Sequence, residues 1–83
     1  MTLKDIYLCF DNVSSKHTRV IFFKHSEEQD YYSDNFDHLS ILPTPLCELE
    51  DEHFSVKIDK FFVHSLVDGT ADAISILLEG ETL

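Results

Sequence analysis

Ser26-Glu27-Glu28-Gln29-Asp30-Tyr31-Tyr32-Ser33-Asp34-Asn35-Phe36-Asp37-His38-Leu39-Ser40 is the stretch that separates an all-β chain from a mixed one. Ser26 followed three residues later by Gln29 is a capping-box signature, and Glu27, Glu28 and Asp30 stand where the positive end of a helix dipole favours carboxylates. At about 100° of rotation per residue, Tyr32, Phe36 and Leu39 share one side, and Glu27, Asp30, Asp34 and Asp37 gather on nearly the opposite one. The pattern predicts an acidic, two-faced helix over 26–40. Pro43-Thr44-Pro45 ends it, because each proline biases its predecessor away from helical torsions.

On the N-terminal side, residues 3–10 and 18–24 are short and rich in β-branched and aromatic types, with a polar run between them. They read as an antiparallel pair of strands. On the C-terminal side, residues 46–50 suit either a short helix led by Thr44 and Pro45 or a strand, and the alternation favours the strand. Phe54, Val56 and Ile58 alternate with Ser55, Lys57 and Asp59 in the manner of a half-buried strand. Residues 60–67 then run into Asp68-Gly69, a tight-hairpin dipeptide, after which Ile74, Ile76 and Leu78 alternate with Ala73, Ser75 and Leu77. A helix over 70–79, capped by Thr70 and stopped by Gly80, competes with this hairpin because Ala71, Ile74 and Leu78 also fit helical spacing. The fold class expected is α+β: a small, mostly antiparallel sheet with one acidic amphipathic helix packed on a face.

The 83 residues suffice for one domain, 1–83, and leave no material for a second core. Sixteen Asp and Glu against six Lys and Arg give a net charge of −10 with His neutral, which opposes direct binding to nucleic acid or to an anionic membrane. Apolar residues at 43%, ten of them aromatic, support a modest core rather than a disordered acidic tail. Charges interrupt the first residues where a secretory signal needs an apolar run, and no uncharged run approaches the roughly 20 residues of a membrane span, so a cytoplasmic protein is expected. Cys9 and Cys47 stand in apolar settings and read as two buried thiols, with one disulfide as the alternative. Two glycines and two prolines leave nothing for phosphate-cradling loops.

Charge is concentrated in one third of the chain. Residues 1–24 carry two acids against four bases, and residues 53–83 carry five acids against two lysines. Residues 25–52 hold Glu27, Glu28, Asp30, Asp34, Asp37, Glu48, Glu50, Asp51 and Glu52 with no Lys or Arg at all. On a helix, Glu27 to Asp37 would span about 15 Å at 1.5 Å per residue. Glu48 and Glu50, if on one strand face, would stand about 6.8 Å apart and extend the field with Asp51 and Glu52. Tyr31, off the buried side of the predicted helix, is an amphipathic interface anchor. Like charges three or four apart cost a helix roughly 0.2–0.5 kcal/mol per pair, so the stripe disfavours its own fold and invites a functional reason. The plain alternative is a solvated face that keeps the protein soluble.

Histidines 17, 25, 38, 53 and 64 lack the close pairs that announce zinc, the nearest approach being Cys47 and His53, so no metal or other cofactor is expected. The serines lie in no nucleophile-elbow context, and so small a domain leaves little room for a pocket, so no catalysis is expected. The Phe22-Phe23 and Phe61-Phe62 doublets read as core residues, and an exposed ring from either would mark a second contact surface. The functional expectation is a small non-catalytic protein whose segment 25–52 blocks a basic, nucleic-acid-binding surface of a partner protein. In gross character it resembles proteins that imitate nucleic acid, a group including phage anti-restriction and anti-CRISPR inhibitors. That likeness covers composition and no motif, so it transfers no residue roles. The alternative is a structural subunit or immunity-type protein that binds one partner through a hydrophobic surface.

Overall fold

The computed structural model describes residues 1–7, 18–33, 35, 37, 39–65 and 71–82. Among them, four strands form one sheet in the order β2-β1-β4-β3: β1 is Arg19–Phe23, β2 Thr44–Pro45, β3 Ile58–Ser65 and β4 Ala71–Leu78. Three short helices accompany it: α1, Leu3–Tyr7; α2, Glu28–Ser33; and α3, Asp51–Phe54. The molecule is thus a small mixed α/β structure. Among the described residues, no helix is long and apolar enough to cross a membrane.

The two central strands are apolar on both sides. Val20 and Phe22 of β1 join Ile74, Ile76 and Leu78 of β4 in one cluster, completed by Leu3, Ile6, Leu46 and Ile58. Ile21 and Phe23 join Leu77 in a second cluster, against which Tyr31, Leu39 and Ala73 pack. Because side chains alternate along a strand, an unbroken run such as Val20-Ile21-Phe22-Phe23 signals a strand covered on both faces. Each fully buried Phe or Leu of this kind contributes about 1.5–3 kcal/mol. β1 and β4 run parallel in the register Val20↔Ile74, Phe22↔Ile76 and Phe23↔Leu77. The outer pairings, β1 with β2 and β3 with β4, are antiparallel. The sheet is therefore antiparallel at its edges and parallel at its centre.

The hairpin-forming strands read from the sequence are present as β3 and β4, and Ala71–Leu78 is a strand rather than the competing helix. The turn at Asp68-Gly69 lies outside the described residues. Other expectations need correction. Residues 3–7 are helical, not extended: Thr2 N donates to Asp5 Oδ2 at 2.9 Å and Asp5 N donates back to the Thr2 carbonyl at 3.0 Å, which caps the first turn. Leu3 and Ile6, one helical turn apart, then both enter the first cluster. Among the described residues, β1 accordingly pairs with β2 and β4 and not with residues 3–7.

The helix expected over 26–40 is shorter and starts differently. A 3-10 turn, His25–Glu27, leads into α2, which stops at Ser33. The capping pair is Lys24 with Glu27, whose Oε1 accepts from Lys24 N at 2.9 Å. Ser26 is instead held by Glu81, through its amide at 3.0 Å and its hydroxyl at 2.8 Å. At the far end, Ser33 Oγ donates back to the Gln29 carbonyl at 2.8 Å, and Asn35 N donates to the Asp30 carbonyl five residues earlier at 3.0 Å, a closing turn and not a continuing helix. With only six residues, α2 turns Tyr31 inward and leaves Tyr32 58% exposed, the reverse of the expected faces; Phe36 lies outside the described residues. Leu39 does reach the core, packed on the second cluster.

Residues 46–50 form no strand. Leu46–Glu48 is a 3-10 turn led by Pro45, and Asp51–Phe54 is the helical turn α3, so the strand expected from Phe54 begins at Ile58. Glu50 N donates to His53 Nδ1 at 2.9 Å, which closes that turn. Cys47 is an exposed free thiol, contrary to its apolar sequence setting, because Leu46 takes the inward position of the turn. Cys9 lies outside the described residues.

Candidate functional site

Along β3, Lys60, Phe62 and His64 alternate and face Leu77, Ser75 and Ala73 of β4. Since Leu77 and Ala73 belong to the second cluster, these three β3 side chains share the sheet face that α2 covers. Tyr31 anchors α2 there, its ring 5.6 Å from Phe23 and nearly perpendicular to it at 84°. Between α2 and β3 the sheet is left open. The result is a cleft of about 450 Å³ lined by Tyr31, Tyr32, Phe62, His64 and Ser75. The volume is within the range of small-ligand sites, and larger than so short a chain leads one to expect.

The walls are aromatic and mutually braced. Tyr31 and Tyr32 meet edge to face at 5.2 Å and 79°, and Phe62 and His64 do so at 4.7 Å and 77°. Phe62 is 58% exposed and its neighbour Phe61, on the other side of the strand, 38%. The doublets therefore behave oppositely: Phe22 and Phe23 are both core residues on opposite faces, whereas Phe61 and Phe62 both reach the surface. On the floor, His64 Nε2 lies 2.8 Å from Ser75 Oγ. Ser75 is 2% exposed, so this bond satisfies a hydroxyl that burial would otherwise penalise.

One cation marks the cleft. The Lys60 ammonium is hydrogen-bonded to the Tyr32 hydroxyl and lies 5.0 Å from the centroid of that ring. The hydrogen bond to Tyr32 holds Lys60 above the ordinary lysine range, and the nearby Asp59 and Glu28 carboxylates add to the effect. Burial raises the Tyr31 phenol, helped by Tyr32 and Asp59 and opposed by Lys60. The mouth of the cleft is thus an aromatic surface against which a cation already rests.

The acidic residues singled out from the sequence do not form one stripe. Glu27, Glu28, Asp30 and Tyr31 lie on the His25–Ser33 segment, over the second cluster. Glu27 is committed locally, since its Oε2 also accepts from Ser40 N at 3.2 Å and Ser40 Oγ at 3.4 Å. Asp37 is exposed in a turn, its amide donating to Asn35 Oδ1 at 3.3 Å. Asp34 lies outside the described residues. Glu48, Glu50, Asp51 and Glu52 are all exposed, on a segment whose Leu46, Leu49 and Phe54 pack on the first cluster. The two acidic groups therefore belong to elements on opposite faces of the sheet, and the pairing of Glu48 and Glu50 along a strand does not occur. Tyr31, expected outward, is an anchor of α2 that also lines the cleft.

Sequence reading passes over Lys60, Tyr32, His64 and Ser75 as site residues, and offers Phe62 only as a second contact surface if its ring is exposed, which it is. The signal for three of them was present as the alternation Lys60-x-Phe62-x-His64. Among the described residues, no group of three or more His, Cys, Asp or Glu side chains is placed to hold a metal ion. Comparison with protein families, with curated proteins and with solved structures gives no match to this chain.

Proposed function

We propose that the protein is a non-catalytic inhibitor that docks its acidic surface on a basic, nucleic-acid-binding face of a partner protein. The observation that carries this is the run 25–52, nine carboxylates with no Lys or Arg, in a chain of net charge −10. Ordinary surfaces intersperse the two signs. The exposure of Glu48, Glu50, Asp51 and Glu52 within five residues supports the same reading. The acidic helix packed on a sheet face keeps its part as a docking element, reduced to α2 with Glu28 and Asp30. Because the carboxylates stand on both sides of the sheet, the field acts as that of a whole acidic body, speeding encounter and orienting it, while apolar contacts set the lifetime.

The test is affinity capture from cells with the wild-type chain and with a Glu48→Lys, Glu50→Lys, Asp51→Lys, Glu52→Lys chain. The wild type is expected to retain a basic protein, to block its binding to nucleic acid, and to lose it steeply between about 50 and about 500 mM salt. A partner held equally by the reversed chain, with a midpoint indifferent to salt, would sink the proposal. That outcome would favour the second reading, a structural or immunity-type protein binding through a hydrophobic surface, for which the exposure of Phe61, Phe62 and Tyr32 is the specific support.

A further inference from the structure

We infer that the cleft between α2 and β3 receives an arginine side chain of the partner, held between the rings of Tyr31, Tyr32 and Phe62. The inference rests on the reading that the partner is basic, and it names the contact that reading leaves open. Three features select a planar cation over other occupants. Tyr31, Tyr32 and Phe62 present aromatic surface around one space of about 450 Å³, room for a guanidinium and its aliphatic stem. A guanidinium stacks on such rings and is more weakly hydrated than an ammonium, so it loses less on entering. Glu28 stands four residues before Tyr32 on α2, on the same side of the helix, where a carboxylate favours an incoming cation.

Lys60 supports the assignment from within. Its ammonium already occupies the neighbourhood of the Tyr32 ring, 5.0 Å from the centroid, so the chain fills with its own charge the place where a foreign one would bind. Lys60 therefore acts as an internal competitor, and removing its charge opens the Tyr32 face. A neutral aromatic or aliphatic ligand would draw no benefit from Glu28.

The full chain, labelled with nitrogen-15, is titrated at low salt with a tetra-arginine amide and separately with the tetra-citrulline amide, nearly isosteric and uncharged. The expected result is saturable shifts at the amides of Tyr31, Tyr32, Phe62, His64 and Ser75 with arginine and none with citrulline. Phe62→Ala, at an exposed ring, is expected to weaken binding about five- to tenfold without changing the circular dichroism, and Lys60→Met to tighten it about threefold or more. Shifts confined to Glu48–Glu52 and untouched by Phe62→Ala would overturn the inference while leaving a basic partner in place. Equal binding of the citrulline peptide, or weaker binding by Lys60→Met, would also overturn it. Failure of the basic-partner reading itself is seen separately, in capture by the charge-reversed chain.

Discussion

His64 and Ser75 are joined diagonally across the β3–β4 pair, imidazole Nε2 to hydroxyl Oγ at 2.8 Å, one partner half-buried and the other almost wholly enclosed. The bond fastens the rim of the cleft to its floor. Ser75→Ala removes the hydroxyl and leaves no buried orphan on β4, so a loss of about 1 kcal/mol is expected, measured by urea denaturation. A loss several times larger would mean that the serine supports more of the sheet than this contact.

The two phenylalanine doublets give the sharpest contrast in stability. Phe22→Ala opens a cavity in the first cluster and is expected to cost about 3–5 kcal/mol, enough to unfold much of so small a protein. Phe62→Ala, at a ring more than half exposed, is expected to change stability by less than about 1 kcal/mol. Denaturant midpoints of the two variants check both values, and similar losses would contradict the placement of the rings.

Acid should release the first helix. The Asp5 carboxylate is held below its ordinary value, first by its bond to the Thr2 backbone. A depressed folded-state value means that the stabilisation is complete above the unfolded aspartate value, about 3.9, and is lost as pH falls through the lower folded one. Asp5→Asn keeps an acceptor oxygen but cannot titrate. The melting-temperature gap between wild type and Asp5→Asn is therefore expected to be constant above about pH 5 and to shrink below about pH 4. A gap that widens in acid would reverse the sign assigned here.

Cys47, exposed at the 3-10 turn after Pro45, should react with a thiol reagent in the folded protein. Mass spectrometry after brief alkylation is expected to place the label at Cys47, and a Cys47→Ser chain to lose that label. Protection until denaturant is added would put Leu46–Glu48 in a different rotation.

The elements legible in the sequence are those whose signal is local and periodic. Ile74, Ile76 and Leu78 recur at every second position before Gly80, and residues 58–65 carry the pairing partner, so the hairpin strands could be read against the competing helix. α1 is hidden, although Thr2-Leu3-Lys4-Asp5 contains a capping pattern, because Ile6, Tyr7 and their neighbours have strand-like composition. α2 was overextended because its termination depends on Ser33 and Asn35 bonding back to the Gln29 and Asp30 carbonyls, side-chain and turn chemistry that charge periodicity does not encode. The parallel register of β1 with β4 has no local signature. For the same reason the cleft was only half visible: Phe62 and His64 alternate in plain view, but Tyr31 and Tyr32 reach them only through tertiary packing.

Arg19–Phe23 finds its central neighbour in Ala71–Leu78, some fifty positions further on. During synthesis the apolar run Val20-Ile21-Phe22-Phe23 lacks its central neighbour until the ribosome has released β4. Closing so long a loop delays folding, and the interval is one in which the nascent chain invites chaperones or self-association. The sheet thus acquires its centre only once β4 is made, and a stop anywhere before Ala71 leaves β1 as an edge where the core should be.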